Sequence, residues 1–218
     1  MSVITVSRQT GSGGAAIGQL LAERLGASYL NTQIIQEVAH RLGISETTAA
    51  EHSERSEAFI ERLARVLWVS NPNFGTINSP ATALPFESIT EASVNTTRQI
   101  IQEAAQTGNV VIFGHGSQFI LKQPWVLHVR FVAPFADRVK RVMGRRSISQ
   151  AEAERWVREE DQRLAEHIRQ FYQADWHDPA PFHLLLNTSL LSAESCIRLI
   201  QAALAELPQT ADSQATQH

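Results

Sequence analysis

This sequence is short of several things, and each shortage excludes a class of chemistry. It has one cysteine in 218 residues, Cys196, so no internal disulfide and no cysteine-based metal site can form. No stretch approaches the roughly 18 consecutive apolar residues of a membrane-spanning helix. The start lacks the basic-then-apolar pattern of a secretory signal. Strong charge of either sign is also missing. The formal net charge is −3 and the pI about 6.2, so no global field gathers nucleic acid or an anionic membrane. These absences set the expectation of a cytoplasmic protein that binds neither nucleic acid nor membrane. Lysine is scarce as well: of 19 Lys and Arg residues, only Lys122 and Lys140 are lysines. Either the lineage favours arginine, or the arginines serve a polyphosphate, whose oxygens match the planar guanidinium fork.

What is present begins at the N-terminus. Val3-Ile4-Thr5-Val6 reads as an apolar strand. It runs into Ser7-Arg8-Gln9-Thr10-Gly11-Ser12-Gly13-Gly14, and Ile17, Leu20, Leu21 and Leu25 follow at helical spacing until Gly26. Strand, glycine-rich turn and helix make a phosphate cradle: glycines let several N–H groups point at one anion, and the helix start adds its positive dipole end. The pattern G-x-x-x-x-G-K-[ST] wants lysine after its last glycine and then a hydroxyl. Gly14 stands in the lysine place here, followed by Ala15 and Ala16. Gly11-x-Gly13-x-x-Ala16 also fits a loose dinucleotide-binding pattern, but that needs an acidic residue at the end of the second strand. Asn31-Thr32-Gln33 stand there instead.

Strand and helix patterns then alternate to residue 207, which predicts a parallel sheet with helices on both faces. Strands are expected at Ser28-Tyr29-Leu30, at residues 110–113, at 126–132 and at 183–187. Helices are expected at 34–42, from Ser45, around Phe59, Leu63, Val66 and Leu67, and at 89–106. Further helices are expected at 135–146, at 149–172 as one helix or a pair, and at 192–207. Residues 70–88 carry Pro72, Pro80, Pro85 and Gly75 with Glu87 as their only charge, the composition of a long loop. The tail from Pro208 lacks periodicity and is expected to be disordered. With 43% hydrophobic residues, the chain suits a single domain over residues 1–207. Ligands of such sheets bind beyond the carboxyl ends of the strands, which directs attention to 7–14, 114–117, 133–134 and 187–189.

Arg138, Arg141 and Arg145 fall on one face of the helix at 135–146. That face is either a solvated basic surface or a clamp on transferring phosphates. His115, His128, His167, His177 and His183 show no metal-ligand spacing, and a packed or solvated role is expected for each. Trp176 reads as a packing anchor near a turn.

Several segments together resemble the cytidylate kinase-like proteins, a lysine-less branch of the P-loop nucleoside monophosphate kinases. They are Thr5-Val6-Ser7-Arg8-Gln9 with Gly11-Ser12-Gly13-Gly14 and Ile17-Gly18; Glu54-Arg55-Ser56 with Phe59-Ile60-Glu61-Arg62-Leu63; Val111-Ile112-Phe113-Gly114-His115-Gly116; Asp175-Trp176-x-Asp178-Pro179; and Leu186-Asn187-Thr188-Ser189-x-Leu191. The resemblance implies a P-loop NTPase three-layer α/β/α fold with a five-stranded parallel sheet. It implies a helical acceptor subdomain about 31–107 and a helical lid about 144–173. ATP, Mg²⁺ and a pyrimidine nucleoside monophosphate are the implied ligands. Members usually carry charged residues where Ala15 and Ala16 stand, Asp at Asn31 and Arg at His115.

The reading that follows is phosphoryl transfer from ATP to a nucleoside monophosphate. Backbone N–H groups of Gly11, Ser12, Gly13, Gly14 and Ala15 would hold a phosphate. Arg8, Arg138 and Arg141 would supply charge, and Asp161 would position an arginine. Ser7 or Ser12 would face Mg²⁺. Asn187 and Thr188 would lie near the adenine, with Gly114, His115 and Gly116 on the acceptor side. A lysine introduced at position 14 would restore the pattern, unless Arg8 already fills its volume. Two other readings stay open: a nucleotide sensor that no longer catalyses, and an interaction protein with an empty cradle. A homodimer is compatible with a chain of this size.

Overall fold

The structure, a computed structural model, describes residues 2–41 and 86–208. The expected helices from Ser45 and around Phe59, the Glu54-Arg55-Ser56 segment, most of the 70–88 loop and the tail beyond Pro208 lie outside the described residues.

Five strands form one sheet: β1 (Val3–Arg8), β2 (Ser28–Leu30), β3 (Val110–Phe113), β4 (Val126–Val132) and β5 (Leu184–Asn187), in the order β2-β3-β1-β4-β5 with every pair parallel. β1 therefore lies in the centre, between β3 and β4. The helices are α1 (Gly14–Leu25), α2 (Thr32–Arg41), α3 (Phe86–Thr107), α4 (Ser117–Ile120), α5 (Phe135–Arg146), α6 (Gln150–Tyr172) and α7 (Ala193–Glu206). The short α4 was not legible in the sequence, and α3 starts three residues before the expected 89. The charged stretch expected as one helix or two is a single helix, started by a capping box in which Ser149 and Glu152 satisfy each other's backbone N–H.

Strand periodicity divides the core into two layers. On one face Val3, Val110, Ile112 and Val126 pack against Ile34, Ile35 and Val38 of α2 and Ile100, Ile101 and Ala105 of α3. On the other, Ile4, Val6, Val111, Phe113, Leu127, Val129, Phe131 and Leu186 pack against Ile17 and Leu21 of α1 and Cys196, Ile197 and Ile200 of α7. This is a three-layer α/β/α fold of the P-loop type, and each fully buried aliphatic side chain contributes roughly 1.5–3 kcal/mol to it. Val139, Val142, Ala153 and Val157 form a small separate core that pairs α5 with α6. Among the described residues, no helix is long and apolar enough to cross a membrane.

Thr5 of β1 and His128 of β4 bring polar groups into the buried sheet. The Thr5 hydroxyl lies 2.6 Å from Nδ1 of His128, whose backbone N–H donates to Nδ1 of His183 at 3.0 Å. Burial, followed by the fields of His183 and Lys122, holds His128 down to about 4. A folded state that keeps this imidazole neutral binds fewer protons than the unfolded chain, whose histidine titrates near 6.5. Its stabilising contribution is therefore full above pH 6.5 and is lost as pH falls toward 4. We predict that His128→Gln flattens the pH dependence of the unfolding free energy between pH 6.5 and 4. Urea titrations should show the wild type losing on the order of 2–3 kcal/mol more than the variant over that window.

Candidate functional site

The site lies beyond the carboxyl end of β1. The chain leaves the strand at Arg8 and turns through two glycines in left-handed conformations, Gly11 at φ +80 and Gly13 at φ +84. A Cβ on Gly11 would sit 2.7 Å from the Arg138 carbonyl oxygen, so that position is closed to side chains. At Gly13 there is room, but an L-residue would be strained by its φ.

Gly13 is the N-cap of α1. It supplies no side-chain cap, and the helix has no acidic residue in its first turn. Thr10 N–H donates to Asp161, Ser12 N–H to the Gln9 carbonyl at 3.1 Å, and Gly14 N–H to Ser12 Oγ at 3.4 Å. Among the described residues, the N–H groups of Gly11, Gly13, Ala15 and Ala16 have no acceptor. Four unpaired donors at the positive end of a helix can take one tetrahedral anion.

The loop is gripped from outside by its carbonyl groups. Arg138 is buried and donates from Nη1 to Thr10 O at 3.1 Å and to Asp161 Oδ2 at 2.6 Å, and from Nε to Ala133 O at 3.1 Å. Asp161 Oδ1 accepts the Thr10 N–H at 3.0 Å. Arg141 donates to Ser12 O at 3.0 Å, to Thr188 Oγ1 at 2.9 Å and to Thr188 O at 2.9 Å. The Thr188 hydroxyl donates to the same Ser12 carbonyl at 2.6 Å. The structure thus gathers Arg138, Arg141, Asp161 and Thr188 at the loop. Their bonds brace its backbone, whereas the sequence suggested arginines free to meet phosphate. Asn187 bonds only locally, its Oδ1 accepting from Ser189 N–H at 3.0 Å.

Arg8 sits differently. Its guanidinium lies 4.4 Å over the Phe113 ring, and burial pulls its pKa down to about 10. Tyr29, which sequence reasoning left as a strand residue, stands beside it and donates to Ala15 O at 3.3 Å. Its hydroxyl is pushed up to about 12, chiefly by burial. Only the strand register brings Tyr29, Phe113 and Arg8 together, and no local pattern signals that.

On the acceptor side expected from the sequence, the chain turns through Gly114, His115 and Gly116, all with positive φ. His115 is buried, with Nε2 3.3 Å from the Asn31 carbonyl oxygen. Tyr172, at the end of α6, donates to His115 O at 2.7 Å. A Cβ on Gly116 would come within 2.3 Å of the Tyr172 ring. Helix α6 is therefore pinned at Asp161 to the glycine loop and at Tyr172 to the 114–116 turn. Trp176 is the expected packing anchor: it is buried, and its ring faces the Arg130 guanidinium at 4.4 Å.

Ser12 is fully buried and its Oγ accepts from Gly14 N–H. Among the described residues no group of three His, Cys, Asp or Glu could hold a metal. A Mg²⁺ brought by a nucleotide's phosphates, keeping most of its waters, would need no such cluster.

The lysine place is closed. A Cβ on Gly14 would lie 2.8 Å from Cδ2 and 2.9 Å from Cβ of Phe131, a fully buried core ring. The sequence left open a restored pattern or a place already filled by Arg8; the structure shows instead that Phe131, not Arg8, is what a side chain at 14 would meet. We predict that Gly14→Lys destabilises the protein by about 1–3 kcal/mol through overpacking and gains no nucleotide affinity. Chemical denaturation and calorimetry check the two parts.

The sequence relationships agree with this geometry. The cytidylate kinase-like family matches residues 3–190. A cytidylate kinase of Aeropyrum pernix is 29% identical over 201 residues, covering 89% of this chain and 94% of its own. That of Desulfurococcus amylolyticus is 25% identical, covering 93% and 92%. An uncharacterized protein from Eubacterium ventriosum has the same fold, with a TM-score of 0.66 at 15% identity, covering 94% of this chain and 99% of its own. TT1252 from Thermus thermophilus superposes with a TM-score of 0.53 at 19% identity, covering 95% and 98%. With its glycine loop, parallel sheet and whole-length match taken together, this chain belongs to the cytidylate kinase-like family.

Proposed function

We propose that this protein transfers the γ-phosphoryl group of ATP to a nucleoside monophosphate, with a pyrimidine nucleotide such as CMP as the acceptor. The observation that carries the reading is the uncapped start of α1, where four loop N–H groups stand unpaired at the carboxyl end of the central strand. Membership of the cytidylate kinase-like family and the names of its relatives supply the substrate class.

In this reaction an oxygen of the acceptor's phosphate forms a bond to the γ-phosphorus. The bond from that phosphorus to the β–γ bridging oxygen breaks, and its electron pair leaves on ADP. A phosphate monoester is already largely dianionic at neutral pH, so the protein need not remove a proton. Its work is positioning and charge neutralisation. The N–H groups of Gly11, Gly13, Ala15 and Ala16 would hold the β-phosphate. Mg²⁺, entering with the nucleotide, would neutralise charge between the β- and γ-phosphates. Asn187 and Thr188 lie on the loop nearest the adenine in this arrangement. The turn at Gly114, His115 and Gly116 would face the acceptor, and α6 would serve as the lid, linked to both loops through Asp161 and Tyr172. Arg138 and Arg141 act through the loop they brace.

Incubation with ATP, Mg²⁺ and each nucleoside monophosphate in turn, with ADP and diphosphate product separated by anion exchange, tests the reading. CMP or UMP should be converted faster than AMP or GMP; release of ADP with none of the four rejects it. Asp161→Asn should lower kcat/KM by about 1–3 kcal/mol of transition-state binding, the scale of a lost charged hydrogen bond.

A further inference from the structure

We propose that Arg8, together with Arg145, holds the γ-phosphate of the bound triphosphate, in the role of the lysine that the loop lacks. The inference rests on the glycine loop being a phosphate cradle, as argued above. It starts from a spacing. With Gly13 as the closing glycine of G-x-x-x-x-G-K-[ST], Gly14 takes the lysine place and Arg8 the place of the opening glycine. Glycine and cation have exchanged positions.

The structure gives this exchange a physical basis. Position 14 cannot carry a long side chain because Phe131 fills the space in front of it. Phe131 is also the β4 partner of Arg8 across the sheet. Arg8, at the end of β1, projects on the α1 side of the sheet and lays its guanidinium on Phe113. It makes no hydrogen bond or ion pair with any described residue. A guanidinium carries five N–H donors, and stacking on a ring uses none of them. With a pKa near 10 it remains charged at neutral pH.

The other arginines around the loop separate into two groups. Arg138 and Arg141 are committed to loop carbonyls and to Asp161 and Thr188. Arg145, one turn beyond Arg141 on the same face of α5, is exposed and has no hydrogen bond or ion pair among the described residues. Arg141 reaches the loop at Ser12 O, which brings this face of α5, and Arg145 with it, to the loop's side. The carboxylates closest to them are taken: Glu160 accepts from Arg163 at 2.9 Å, and Asp161 from Arg138 at 2.6 Å. Two cations with no bond to any described residue, beside four unpaired loop amides, suit a ligand with several negative charges in a row. One phosphate fills the amide cradle, and the next meets the guanidinium pair.

Calorimetry of AMP, ADP and ATP, each with Mg²⁺, tests this on wild type, Arg8→Met, Arg8→Lys, Arg145→Ala and, as a charge-matched control, Lys140→Ala. Arg8→Met keeps an aliphatic stem on Phe113 and removes the charge with its N–H donors. Affinity of the wild type should rise with phosphate number. Arg8→Met and Arg145→Ala should each lose about tenfold or more for ATP and less than about threefold for AMP, the scale of one charge-assisted hydrogen bond. Arg8→Lys should recover part of the ATP affinity, and Lys140→Ala should match the wild type. An unchanged ATP-to-AMP ratio in both arginine variants overturns the pair while leaving the cradle intact. A wild type that binds none of the three nucleotides rejects the cradle itself.

Discussion

The contact between Arg138 and Asp161 organises the end of the sheet on which everything else depends. A buried ion pair by itself does not stabilise a fold much, because desolvation offsets most of the attraction. Here the remaining capacity of both groups is spent on backbone. Arg138 holds the carbonyls of Thr10 and Ala133, and Asp161 holds the N–H of Thr10. One pair therefore joins the glycine loop, the strand-to-helix turn after β4 and the middle of α6. The closeness of Arg138's own carbonyl to Gly11 also explains why that residue is glycine. The pair fixes loop shape and loop composition together.

A second consequence concerns charge. A glycine loop that curls around an anion turns its N–H groups inward and its carbonyls outward. Those carbonyls need donors, and in this protein Arg138, Arg141 and Thr188 provide them. Side chains so employed have fewer donors left for a ligand. The same geometry leaves Arg8 and Arg145 unengaged among the described residues. Three arginines spaced along one helix face thus divide into two that brace the loop and one, Arg145, that bonds to none of the described residues. The chain's preference for arginine has a structural use here: a guanidinium bonds two or three carbonyls at once, whereas a lysine ammonium lacks the rigid fork to do so.

Helix α6 connects the two halves of the candidate site. Asp161 meets the phosphate loop near the helix centre, and Tyr172 meets the 114–116 turn at its end. The helix rests on α5 through a small core of its own, separate from the two cores of the sheet.

Much of the architecture was legible in the amino-acid sequence because it rests on local rules. The all-apolar run at 110–113 and the run at 126–132, which His128 and Arg130 interrupt, suit strands buried on both faces, and they point to a parallel sheet. Gly11 and Gly13 mark the turn, and Gly26 closes α1. The five ordered motifs placed the chain in its family before any coordinates. Tertiary structure alone decided the rest. That Phe131 blocks position 14 depends on the pairing of β1 with β4. Tyr29 reaches Ala15 and neighbours Arg8 only because β2 pairs with β3. Arg138 and Arg141 were visible as a basic helix face, but no periodicity distinguishes a guanidinium bound to carbonyls from one left free for a ligand. Spacing along a chain determines which face a side chain occupies; what it meets there depends on strands and helices more than a hundred residues away.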